Sequence, residues 1–156
     1  MDLKTIGVKG DFAIEHDSEL YSQDLLRLRI WVGGVMLGTL DETTYLPSFL
    51  PDLEGLAVPA DCANAGENEE SDSDEIYEKM YSFGESFDDF FIWRKLEGNS
   101  VKIKFRLVDR PFHKYPDLAV GEFYSGATVV SSILAVHEAL ADFWGKSKDK
   151  MLNRQL

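Results

Sequence analysis

The amino-acid sequence predicts an α+β fold: an antiparallel sheet of about five to six strands built from two hairpins, with helices mainly on one face. Three observations predict it. Leu26, Leu28, Ile30 and Val32 alternate with Arg27, Arg29 and Trp31, the period of two that marks a strand with one buried face. The alternation returns at Val101, Ile103, Phe105 and Leu107 against Lys102, Lys104 and Arg106. Each of these runs is followed downstream by apolar residues at helical spacing, so strands come in groups and helices are few.

In chain order, Gly10 to His16 reads as a first strand, with Phe12, Ile14 and His16 on one side and Ala13 and Glu15 on the other. A polar turn, Asp17-Ser18-Glu19, leads to the first hairpin. Gly33-Gly34 supplies the two residues with positive φ that a two-residue hairpin turn requires, and Val35, Met36 and Leu37 begin the return strand. Leu46, Phe49, Leu50 and Leu53 then stand at i, i+3, i+4 and i+7, the stripe of an amphipathic helix. Pro47 suits its first turn and Pro51 keeps it short.

From Ala57 to Glu75 the chain reads AVPADCANAGENEESDSDE, with no apolar period, and is expected as an exposed acidic loop at about 57–75. Ile76 to Phe83 is expected as a short helix capped by Asp74, with Ile76, Met80 and Phe83 on one face and Gly84 at its end. The second hairpin joins Phe90–Leu96 to Ser100–Val108 through Gly98-Asn99. The loop HKYPD leads to a short strand from Leu118 to Tyr124. Ser125 is placed to cap a last helix from about Gly126 to Trp144, with Gly145 after its end and Asp149–Leu156 frayed.

A chain of 156 residues is expected to form one domain, 1–156, large enough to bury a core without covalent staples. No apolar run approaches the roughly 20 residues that span a bilayer, and MDLKTIGVKGDF lacks a signal-peptide core. The single cysteine, Cys62, excludes an internal disulfide and suits a reducing compartment; the expected location is the cytoplasm. The net charge of −12 argues against nucleic acid as a direct partner and for a basic one. That charge is segregated. Asp41 to Asp89 holds fifteen acids against one base, Lys79, a balance of −14 that leaves +2 for the rest of the chain. Segregation of this kind favours an interaction surface over general solubilisation.

No local pattern carries catalysis. His16 and His137 fall on apolar faces, and His113 has no cysteine or acid at metal-ligand spacing along the chain. Asp72-Ser73-Asp74-Glu75 begins like a calcium loop but lacks its sixth-position glycine and terminal glutamate. The acids around Cys62 disfavour its thiolate. The expectation is a protein that is not an enzyme and takes no cofactor or metal. Trp31, on the polar face of its strand, and Trp93, on a face with Phe91 and Lys95, are the candidate aromatic anchors for a partner, unless a helix covers that face and both are core. Trp31 is the one taken into the expected site. With Trp31, the acidic residues Asp61, Glu67, Glu69, Glu70, Asp72, Asp74 and Glu75 make up the expected partner-binding set.

Residues FAIEHD, RLRIWVGGVMLGTLDETTYLPSFL, VKIKFRL and GEFYSGATVVSSILAVHEAL resemble immunity proteins of bacterial polymorphic toxin systems, nearest the group numbered forty-two. The shared order is an F-x-I strand, a strand with W-V-x-G, and a return strand L-G-x-L-D-x-x-T-x-L entering a helix. The acidic stretch from Ala57 to Glu75 falls outside that pattern. The resemblance implies a small cytoplasmic antidote. It would bind the C-terminal toxin domain delivered by a neighbouring cell in contact-dependent growth inhibition, and neutralise it by direct contact; such toxins are often basic nucleases. Two other classes satisfy the composition: a small acidic adaptor in an unrelated pathway, and an enzyme whose site is dispersed along the chain.

Overall fold

A computed structural model describes residues 1–59, 65–70, 76–80 and 83–154. Strands β1 (Leu3–Gly7), β2 (Phe12–Asp17), β3 (Leu25–Leu26), β4 (Leu28–Val32), β5 (Val35–Leu37) and β6 (Thr44–Tyr45) precede helix α1 (Leu46–Gly55). Strands β7 (Ala65–Glu70), β8 (Ile76–Met80), β9 (Phe90–Glu97), β10 (Ser100–Leu107) and β11 (Tyr124–Val129) follow, then helix α2 (Val130–Arg154). The class is the expected one, α+β with antiparallel pairing. The strands are shared between a four-stranded sheet, β1-β2-β4-β5, a five-stranded sheet, β11-β10-β9-β8-β7, and the small pair β3-β6.

Both hairpins form where the turn residues place them. Gly33 and Gly34 have φ of 56° and 84°, the left-handed pair of a type I′ turn. Alternation then decides what is buried. Leu28, Ile30 and Val32 from β4 and Val101, Ile103, Phe105 and Leu107 from β10 are all at most 2% exposed. With α1 and one face of α2 they join a single cluster of buried side chains. Phe49 of α1 sits 5.8 Å from the Phe87 ring and 6.1 Å from the Phe83 ring. Pro stands in the first turn of α1, and the helix ends after ten residues, the short element its second proline implies.

One close approach ties the sheets together. A Cβ on Gly126 of β11 would lie 2.6 Å from Val32 Cγ1 and 3.0 Å from the Gly33 nitrogen, so only glycine lets β11 cross the tip of the β4–β5 hairpin. Arg94 makes a second tie. It is fully buried, donates from Nη1 to the Gly55 carbonyl at the end of α1 (2.6 Å), and pairs with Glu78 of β8 (2.9 Å). The last carbonyls of a helix need such donors.

Several expectations are corrected. The acidic stretch is not all loop, because Ala65–Glu70 is the edge strand of the larger sheet. Ile76–Met80 is a strand rather than a helix; its pairing with β7 on one side and β9 on the other outweighs the helical spacing of Ile76, Met80 and Phe83. The expected cap, Asp74, lies outside the described residues. Leu118–Tyr124 is loop up to Tyr124, where β11 starts. The last helix starts later and runs through Gly145 to Arg154, where a frayed tail was expected. Nothing lies within 4 Å of a Cβ built on Gly145, and a Lys146–Asp142 pair at 2.9 Å continues the helix past it. The buried stripe of α2 is also narrower than the sequence implies: Ile133, Val136 and Leu140 are buried, while Leu134 is exposed. A strand absent from the sequence reading, β1, pairs along the outer edge of β2.

Candidate functional site

Trp31 lies on the outer face of the four-stranded sheet, half-buried, and its surroundings are built from its own chain. Glu15, opposite Arg29 in the β2–β4 register, accepts from Arg29 Nε (2.7 Å), Lys9 Nζ (3.0 Å) and, at 3.4 Å, Trp31 Nε1. Lys9 Nζ stands 4.8 Å from the centre of the indole. Burial alone would raise the Glu15 carboxyl; the hydrogen bonds from Lys9 and Arg29 and the Arg29 charge outweigh it and hold the group below the usual carboxylate range. Glu15 is therefore paired within its own chain with both neighbouring cations, and the indole already has a cation over its face.

Of the acidic residues expected to bind a partner, Asp61, Asp72, Asp74 and Glu75 lie outside the described residues, as does Cys62. Glu67, Glu69 and Glu70 belong to β7, with Glu69 opposite Tyr77 and Glu70 opposite Ile76. They sit at the edge of the five-stranded sheet, whereas Trp31 belongs to the other sheet. Trp93 is buried, at 7% exposure, and is set aside as an anchor. On its face of the sheet the cations lie on aromatic rings: Lys104 Nζ is 4.6 Å from the Phe123 ring, and the Arg106 guanidinium is 4.7 Å from that of Phe91. Burial lowers the Lys104 pKa.

Three stretches far apart in sequence meet at a place sequence reasoning missed. Asp89, 3% exposed, accepts from the backbone nitrogens of Phe112 (2.8 Å) and His113 (3.0 Å) and from the Tyr115 hydroxyl (2.9 Å). Burial, then the bond to Asp89, raises the Tyr115 pKa and keeps its phenol a donor. His113 Nε2 is 3.2 Å from Glu42 Oε1, a contact between residues 71 apart. Glu42, Glu85, Asp88, Asp89, Phe112 and His113 line a hollow of about 530 Å³. Phe112 stands at its rim, 92% exposed. The signals were present but unlinked: the acids belong to the −14 segment, and Phe112 is an apolar residue in the polar loop RPFHKYPD.

His16 is buried, its Nδ1 2.6 Å from the Asp17 carbonyl and its ring 4.5 Å from that of Phe143. Burial lowers its pKa. His137 lies 3.7 Å from Glu54. Among the described residues, no group of three or more His, Cys, Asp or Glu is arranged to hold a metal ion. Nor, among those residues, is any helix long and apolar enough to cross a membrane.

The class these features define is an acidic, antiparallel α+β protein whose distinctive surface is a carboxylate-lined hollow beside an exposed phenyl ring. No protein-family model matches the chain, and no curated protein matches it. Among solved structures it is similar to CdiI from Burkholderia dolosa, at 15% identity over 89% of this chain and 99% of that one, with a TM-score of 0.47.

Proposed function

We propose that this chain is a cytoplasmic immunity protein of the contact-dependent growth inhibition type. On this reading it binds a basic toxin domain one to one and neutralises it without catalysis. The observation that carries the reading is the charge segregation: fifteen acids against one base between Asp41 and Asp89, in a chain otherwise at +2. A surface of that sign attracts a cationic partner over the distance that salt leaves unscreened, and it repels nucleic acid. The sequence resemblance to polymorphic-toxin immunity proteins supports the same reading. A basic nuclease is the toxin class that fits best, since a nuclease carries the cationic face that phosphate binding demands.

The test is co-expression with the C-terminal toxin domain encoded by the adjacent upstream gene. Cells making the toxin alone stop growing, and cells making both proteins grow. No protection from that toxin, together with no complex on co-purification, removes the immunity reading. Within it, Glu67, Glu69, Glu70, Asp72 and Asp74 act as steering charges. Replacing the five with Gln or Asn slows association at low salt and flattens its salt dependence, each exposed pair being worth only about 0.2–1 kcal/mol.

A further inference from the structure

We propose that the loop 109–118 and the hollow beneath it seat one lysine or arginine side chain of the toxin domain, with Phe112 as the aromatic anchor of that contact. This deepens the immunity reading and rests on it. The first ground is the state of Phe112. A phenyl ring that is 92% exposed sits on a loop whose backbone is tied down on either side of it. The buried Asp89 carboxylate accepts the Phe112 and His113 amides and the Tyr115 hydroxyl, and Val108 N donates to the Asp89 carbonyl at 2.8 Å. Pro111 and Pro116 restrict the chain further. The backbone that carries the ring is thus held in place, and little loop-ordering entropy is left to lose on binding. Among the described residues it touches no other aromatic ring and no cation.

The second ground is what surrounds the ring. Four carboxylates, Glu42, Glu85, Asp88 and Asp89, line the hollow, and among the described residues no lysine or arginine lines it. A cationic side chain entering there lays its aliphatic stem against Phe112 and brings its head to the carboxylates. A phosphate or a carboxylate is repelled from the same place, so the occupant is a basic residue of a protein. Trp31 makes the contrast. It has its cations within its own chain, in Lys9 and Arg29, and so lacks the vacancy that Phe112 offers.

The experiment measures binding of the purified toxin domain from the adjacent gene to the full chain and to three variants, with melting temperature as the fold control. Phe112→Ala weakens the complex by about 30-fold or more, mainly through faster dissociation, with melting unchanged. Phe112→Trp retains most of the affinity. Glu85→Gln with Asp88→Asn weakens it about tenfold and reduces the salt dependence. If the wild-type chain binds the toxin and both Phe112→Ala and the Glu85/Asp88 double variant bind as the wild type does, the docking site is overturned and the immunity reading stands. If the wild-type chain itself does not bind, the immunity reading falls and takes this inference with it.

Discussion

Replacing Arg94 with leucine perturbs the joint between α1 and the five-stranded sheet, and its cost follows from the geometry. The guanidinium is 0% exposed and, among the described residues, holds two partners, the Gly55 carbonyl at 2.6 Å and Glu78 Oε2 at 2.9 Å from Nη2 and 3.2 Å from Nε. Removing one member of a buried pair costs about 3–5 kcal/mol, because the other is left without compensation. Arg94→Leu leaves Glu78, whose side chain keeps 22% exposure and regains some water, but it also strips the Gly55 carbonyl of its donor. Glu78→Leu leaves a buried guanidinium whose remaining hydrogen-bond partner, among the described residues, is the Gly55 carbonyl. Both single variants are expected to lose about 3–5 kcal/mol, which for a chain of this size lowers the melting temperature by roughly 6–20 °C. The double variant replaces the pair with apolar side chains in a packed setting, and such replacements are often near neutral. Its expected loss is well below the sum of the singles, a coupling of about 2 kcal/mol or more. Urea unfolding of the four proteins measures it. Additivity to within about 0.5 kcal/mol refutes the argument that the two groups form one buried unit.

Three further outcomes follow from the same structure. Ile30→Ala, at a position 1% exposed, costs about 2–5 kcal/mol and lowers soluble yield. Trp31→Ala on the half-buried opposite face costs less, and thermal melting of the two variants side by side gives the order. Gly126→Ala destabilises by about 1–3 kcal/mol through overpacking. Val32→Ala removes a fully buried side chain and costs stability by itself, so the comparison is a double-mutant cycle. The double variant loses less than the sum of the singles, because the 2.6 Å contact is cleared while the 3.0 Å backbone contact remains. A Gly126→Ala substitution that costs nothing in the Val32→Ala background contradicts the close approach of backbones. The third outcome concerns pH. His16 has a folded pKa below its unfolded value, so the stability it contributes is fully present above about pH 6.5 and is lost as pH falls toward the folded value. Urea midpoints between pH 7.5 and 5.5 decline in the wild type, and His16→Leu declines less over that window.

Local rules explain what was legible in the chain. Alternation decided the inner faces of β4 and β10, since a strand has only two sides and one faces the core. Paired glycines placed the first turn, and proline with an i, i+3, i+4, i+7 stripe placed α1. Each of these depends on residues within a few positions of one another, and the sequence contains them all. The location of net charge is likewise a property of sequence alone.

Tertiary structure decided the rest, because the deciding contacts are remote. Ile76–Met80 has helical spacing, yet β9 offers it a partner strand, with Arg94 facing Glu78, and pairing wins over the local period. Gly145 reads as a helix stop, but a helix ends where nothing continues it, and the Trp144 indole donating to the Gln23 carbonyl holds α2 against the chain beyond the last buried stripe residue. Gly126 reads as the start of the last helix, yet it lies in β11, where the tip of the first hairpin comes beside it. The hollow is the clearest case: Glu42, Asp89 and His113 come from three separate stretches, and no window along the chain contains them together. Charge sign is additive along a sequence, whereas a concave site is a property of distances, and distances between remote residues exist only once the chain has folded.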